Sequence, residues 1–209
     1  MKKIIRYILL LLVIGWVGFK SVYIKKLSEV EKTNDEKFDA LTFSKKLWDE
    51  KLPARLDSAV GFATLIQALK TNPTDAFGRY SNAMGIGNYR YSLVKLTGTA
   101  AEIKEDEIIM QTKNGDSLIN VTLATEYVYG NAIRDASGLL DIKDFANTTD
   151  LNSISEQLNA IVRKAVLPPF KQSVKQGDRI EATGAIEINK EHVRVTELEL
   201  IPVRLKILP

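Results

Sequence analysis

Tyr89-Arg90-Tyr91-Ser92-Leu93-Val94-Lys95-Leu96-Thr97-Gly98-Thr99-Ala100-Ala101-Glu102-Ile103 is the stretch whose reading sets the fold. Tyr91, Leu93 and Lys95 alternate with Ser92, Val94 and Leu96, the period of two that a pleated strand imposes on its side chains. Thr97-Gly98-Thr99 interrupts the pattern before Ile103, and a long strand bent at a glycine accounts for both halves. Going forward, two more strands are expected at about 107–112 and 117–125, joined by the turn Lys113-Asn114-Gly115-Asp116. A second Thr-Gly pair, Thr183-Gly184, lies in an expected strand over 179–189 that follows Gly177-Asp178. Residues 192–200 are expected to complete a hairpin with it, and Pro202 suggests that the final segment runs on an edge.

Between these two sets of strands the character changes. Residues 131–149 are polar and turn-rich, and 150–166 carry Leu151, Ile154, Leu158, Ile161, Val162 and Val166 at helical spacing, with Pro168-Pro169 expected to close the helix. Going backward from Tyr89, Phe38, Leu41, Lys45, Trp48 and Leu52 keep helical spacing up to an expected stop at Pro53. A second helix is expected from about 58 to 70, ended by Asn72-Pro73. Three strands, a helix-bearing insertion and two more strands is the order of an OB-type barrel. The fold class is therefore read as α+β, with helical segments followed by a five-stranded antiparallel OB-like barrel closed at Gly98 and Gly184. An open antiparallel sheet with a helix on one face explains the same alternation. The expected divisions are an anchor at 1–27, a helical stalk and subdomain at 28–88, and the barrel at 89–209 with its insertion at 126–170.

The first residues carry their own signal. Lys2, Lys3 and Arg6 precede a continuous apolar run from Tyr7 to Phe19, which Ser21 to Ile24 extends past Lys20. Two readings fit, a cleaved secretory signal and an uncleaved transmembrane signal-anchor. The lack of a small-x-small cleavage site around Gly15-Trp16-Val17-Gly18 favours the anchor. The expectation is a single-pass inner-membrane protein with its C-terminal domain in the periplasm, Ser28 to Lys37 serving as a charged stalk.

Little in the sequence asks for chemistry. Lys and Arg number 29 against 26 Asp and Glu, and they are interleaved, which argues for a solvated mixed surface and against nucleic acid as a partner. No cysteine is present, so disulfides, thiolate metal sites and lipid attachment through a cysteine have no residue to use. His192 is the only histidine and has no nucleophile motif or second ligand beside it. Gly85-Ile86-Gly87 precedes a strand and opens no helix, so it does not read as a phosphate cradle. Asp135, Asp141 and Asp144 lack the spacing of a calcium loop. Neither a catalytic residue, a metal site nor a cofactor is expected.

Gly130-Asn131-Ala132-Ile133-Arg134-Asp135-Ala136-Ser137-Gly138, then Asp144-Phe145-Ala146-Asn147, Leu158-Asn159 and Val166-Leu167-Pro168, resemble an uncharacterised bacterial family of predicted periplasmic lipoproteins often encoded beside sugar ABC transporters. The resemblance also takes in the 38–52 helix, Asn88-Tyr89-Arg90-Tyr91 and Gly177-Asp178, nearly all of the chain beyond the anchor. It implies an envelope location and a role near sugar uptake, with a sugar ABC transporter or its binding protein as partner, and it implies no reaction. If one surface binds, the polar insertion is the candidate, with Arg134, Asp135, Ser137, Asp144 and Asn147 beside Tyr89 and Tyr91 of the first strand. Two roles follow: a membrane-tethered accessory protein that contacts the transport machinery, or a small-ligand or oligosaccharide receptor using the barrel face and the 131–147 loop.

Overall fold

A computed structural model of the chain describes residues 2–21, 38–196 and 198–209. The chain forms two units, Met1–Phe38 and Asp39–Pro209.

In the first unit a helix, α1, runs Lys2–Ser21. Among the described residues no helix is long and apolar enough to cross a membrane, which overturns the expected transmembrane signal-anchor and single-pass topology. The physical reason is length. The uncharged run Tyr7–Phe19 is bounded by Arg6 and Lys20 and rises only about 20 Å at ~1.5 Å per residue, against a hydrocarbon core of roughly 30 Å. A run of that length falls within the range of the apolar region of a secretory signal. The expected extension to Ile24 and the expected stalk over 28–37 lie outside the described residues.

The second unit is built on six strands: β1 (Val60–Gly61), β2 (Tyr89–Ile103), β3 (Glu107–Asn114), β4 (Ser117–Ala124), β5 (Arg179–Asn189) and β6 (Leu198–Leu208). The hydrogen-bonded order β2-β3-β4-β6-β5 returns to β2, so five strands close into a barrel and the open-sheet alternative is excluded. One pairing departs from the expected antiparallel pattern: β4 and β6 run parallel, from Val121 opposite Leu198 to Leu123 opposite Leu200. β1 lies outside the closed set, parallel to β2 at Val94 and Lys95.

Closure depends on the two glycines. β2 pairs with β5 from Tyr89 to Thr99, and from Thr99 to Ile103 it pairs with β3, so the change of partner falls beside Gly98. A Cβ at Gly98 would stand 2.7 Å from the carbonyl oxygen of Gln111, and one at Gly184 would stand 2.2 Å from that of Ile201, where the β5–β6 register shifts. Only a residue without a side chain lets the backbones approach so closely. Inside, Val94, Met110, Val121, Leu123, Ile180, Ile186 and Leu200 are fully buried at alternate strand positions. Burying each such side chain is worth about 1.5–3 kcal/mol. Pro202 lies beyond the three-residue contact with β4, so its missing N–H leaves no bond unmade on that side.

The last strand begins at Leu198, not near His192, because its register is fixed by the parallel contact with β4. The helices differ more. α2 (Ala40–Lys46) passes through a π-turn at Leu47–Lys51 into α3 (Leu52–Asp57), with Leu52 N–H bonded to Leu47 O five residues back. Pro53 therefore sits in the first turn of a continuing helix, where no intrahelical N–H is needed, and does not stop it. The same device recurs at α7 (Thr148–Ile161), a π-turn at Val162–Val166, and α8 (Leu167–Ser173), which carries Pro168 and Pro169 in its first turn. The second expected helix starts later than 58, as α4 (Phe62–Thr71). Asn72-Pro73 ends it and also opens α5 (Pro73–Tyr80), where Asn72 Oδ1 accepts from Asp75 N at 3.2 Å.

Candidate functional site

All six residues of the short helix α6 (Ala132–Ser137) are buried, and its polar side chains are used internally. Gly138 follows with φ of 60°, the left-handed conformation that ends helices, and a Cβ there would meet the Asn82 amide at 2.9 Å. Arg134, 7% exposed, donates from Nε to Asp135 Oδ1 at 2.7 Å and from Nη1 to Leu151 O at 3.2 Å. The second Asp135 oxygen accepts from Asn131 Nδ2 at 2.7 Å, and Asn131 Oδ1 accepts from the Tyr91 hydroxyl at 3.3 Å. Ser137 Oγ donates to Arg134 O and accepts from Leu139 N. A buried ion pair survives only when its remaining donors and acceptors are satisfied, and this one is tied to a barrel strand and to a neighbouring helix.

The seam is closed from three sides. Arg55 Nε donates to Ser137 O at 2.7 Å, Asn82 Nδ2 to Ala136 O at 3.3 Å, and Asn159 Nδ2 to Gly130 O at 2.8 Å. Arg134, Asp135, Ser137 and Tyr91 thus form one cluster, with Tyr91 only 8% exposed. Burial, and after it the nearby Glu187 carboxylate, push the Tyr91 phenol up to about 12. The remaining candidates lie apart. Asn147 caps α7, accepting from Asp150 N at 2.9 Å. Asp144 ends an exposed 3-10 turn. Tyr89 is exposed at the start of β2 and makes no hydrogen bond to the cluster. Asp135, Asp141 and Asp144 do not converge, and among the described residues no group of three His, Cys, Asp or Glu side chains is placed to hold a metal.

A cavity of about 320 Å³ opens against this seam, lined by Gly130, Asn131, Arg134, Asn152, Ser155, Glu156 and Asn159. Its lining is amide and hydroxyl, with one buried guanidinium and one exposed carboxylate. Arg163 holds Glu156 of this lining: Nη2 bonds Glu156 Oε1 at 2.6 Å, Nη1 donates to the Val128 carbonyl, and the guanidinium lies 4.7 Å from the centre of the Tyr129 ring. Val128 is fully buried while Tyr127 and Tyr129 on either side are 65% and 59% exposed. Sequence reasoning missed Arg55, Asn82 and Arg163, because their partners lie 82, 54 and 35 residues away and no local motif announces such pairs.

Residues 12–206 match the family described as predicted periplasmic lipoprotein (DUF2291), and the chain belongs to that family. Membership supports a periplasmic location and the envelope assignment that the resemblance implied; sugar transport is not part of the description. The chain departs from the family's description in having no cysteine, so these 209 residues hold no thiol for a lipid. The crystal structure of an OB-fold protein from Thermotoga maritima is similar at 25% identity, covering 83% of this chain and 100% of that one with a TM-score of 0.72. It agrees with the closed barrel described above. The Stn1–Ten1 complex of S. pombe matches at 13% identity over 63% of this chain and 67% of that one, and its TM-score of 0.28 carries no argument. No curated protein matches.

Proposed function

We propose that this member of the predicted periplasmic lipoprotein family is an accessory protein that works by binding a protein partner, without catalysis. The observation that carries the proposal is the display of Tyr127 and Tyr129. Their segment is pinned by buried Val128 and by Arg163, so two exposed aromatic rings are held on a rigid backbone at little entropic cost. Rigid tyrosines beside an arginine are the groups from which protein interfaces draw most of their energy. The insertion's own charged pair is consumed internally, which supports a scaffold role for it over an acid–base role. The partner proposed is the sugar-uptake machinery of the same envelope, and this step rests on the family resemblance alone.

A receptor for a small polar ligand is the second reading, favoured by the amide- and hydroxyl-lined cavity beside Arg134. The two separate in a thermal-shift experiment on the full chain, run against a panel of sugars and, separately, against the purified sugar-binding protein of the same organism. The accessory reading expects a shift with the binding protein that Tyr127→Ala/Tyr129→Ala abolishes. A shift with a sugar, lost in Asn152→Ala and kept in the tyrosine variant, would replace it with the receptor.

A further inference from the structure

A second surface lies on the outside of the barrel where β2 bends. There a groove of about 580 Å³ runs over Gly98, between the side chains of Lys95, Thr97, Gln111, Lys113 and Arg179. Lys95 is answered by Glu181 at 3.2 Å. Lys113 and Arg179 are exposed, and among the described residues neither side chain makes an ion pair or hydrogen bond. Two cations line one concave wall whose lining holds no carboxylate, and Glu181 on the same face of β5 is paired with Lys95, an arrangement that favours an anion. The strand alternation that turns Lys95 and Thr97 outward from β2, Gln111 and Lys113 from β3 and Arg179 from β5 fixes these groups on rigid elements.

We propose that this groove binds a phosphate-bearing polyol, with Lys113 and Arg179 on the phosphate and Thr97 and Gln111 on the hydroxyl groups. A phosphate offers charged oxygens that two cations can share, carrying about −1.5 to −2 charges as a monoester near neutral pH and a single charge as the diester of a lipid headgroup. Arg179 supplies a planar fork for two phosphate oxygens and Lys113 a movable point charge. Gly98 belongs to the groove's lining, and a side chain there would collide with Gln111 O and disturb the β2–β3 approach that shapes it. The first turn of α4, Gly61 to Ala63, borders the groove with no side-chain cap and adds to the positive field without being needed for the argument. The site is independent of the tyrosine surface, so either proposal can fail without the other.

Such a polyol phosphate can arrive free or as the headgroup of a lipid, and the test has an arm for each. The full chain is titrated calorimetrically with inorganic phosphate, glycerol 3-phosphate and glycerol, and in parallel with phosphatidylglycerol and phosphatidylcholine vesicles. Saturable binding of glycerol 3-phosphate is expected, with phosphate weaker, glycerol silent, and both anions weakened by salt. Lys113→Gln/Arg179→Gln should weaken binding at least ten-fold, while Lys164→Gln and Tyr127→Ala/Tyr129→Ala leave it unchanged. A loss confined to the phosphatidylglycerol arm identifies a headgroup as the source, and one confined to the soluble arm identifies a free ligand. No binding in any arm, or binding that the double substitution leaves intact in every arm, overturns the proposal.

Discussion

The polar seam at Arg134 and the polar groove at Lys113 are built from the same kinds of residue, yet they do opposite things. In the seam the charged pair is buried and answered: Arg134 and Asp135 are 7% and 2% exposed and share a 2.7 Å bond. In the groove Lys113 and Arg179 are exposed and, among the described residues, unanswered. A polar side chain sunk into a protein must be paired by the protein itself, so its bonding capacity is spent on architecture. One left at a concave surface keeps that capacity for something else. The loop that looks most functional by composition is therefore the one that holds the insertion to the barrel.

The contrast is sharpest in stability. Asp135→Ala leaves a buried guanidinium without its carboxylate and should cost about 3–5 kcal/mol in urea denaturation; a loss below about 1 kcal/mol would mean that the seam is not a buried clamp. Next, Gly184→Ala puts a Cβ where the Ile201 carbonyl stands 2.2 Å away and should cost roughly 1–3 kcal/mol. Unchanged stability there would show that the β5–β6 shift relaxes freely.

Two titrations probe groups between the extremes. Because Tyr91 is raised to about 12 from 10.0, its neutral form is favoured in the folded chain. The stability this represents is present below pH ~10 and is lost as the pH rises toward 12, where the unfolded chain has already released the proton. Tyr91→Phe should flatten that alkaline fall, as read from denaturation midpoints at successive pH values. Glu199 is likewise raised, by burial first and then by Glu107 and Glu187, so its charge opposes folding once the pH exceeds its unfolded value. Glu199→Gln should raise the melting temperature at neutral pH and not at pH 3. At the small end, Lys113→Gln and Tyr129→Ala should change stability by no more than about 0.5 kcal/mol while removing their respective partners. A larger loss would move those residues to the architectural side of the comparison.

The barrel was legible because its signals are local. Alternation along Tyr89 to Leu96 and the two Thr-Gly pairs both survive into β2 and β5, and both glycines stand where backbones nearly touch. The proline stops were misread because the usual penalty assumes an uninterrupted α-helix. A π-turn placed just before Pro53 and again before Pro168 removes it, and which helices take that turn depends on packing that no short window contains. The N-terminal run misled through its continuation past Lys20, whereas the uncharged part alone is too short. At the seam, the residues of α6 could be picked out as special, but their role could not, since Arg55, Asn82, Leu151 and Asn159 meet them only in the folded chain.

Replacing one partner of the Arg134–Asp135 pair and then both, read by urea denaturation and by capture of the purified sugar-binding protein, tests most directly whether the pair is structural. The single Asp135→Ala should fall by about 3–5 kcal/mol, and the apolar pair Arg134→Met/Asp135→Leu should recover most of that loss and still capture the protein. A stable double variant that no longer binds would contradict the account and return the function to the seam.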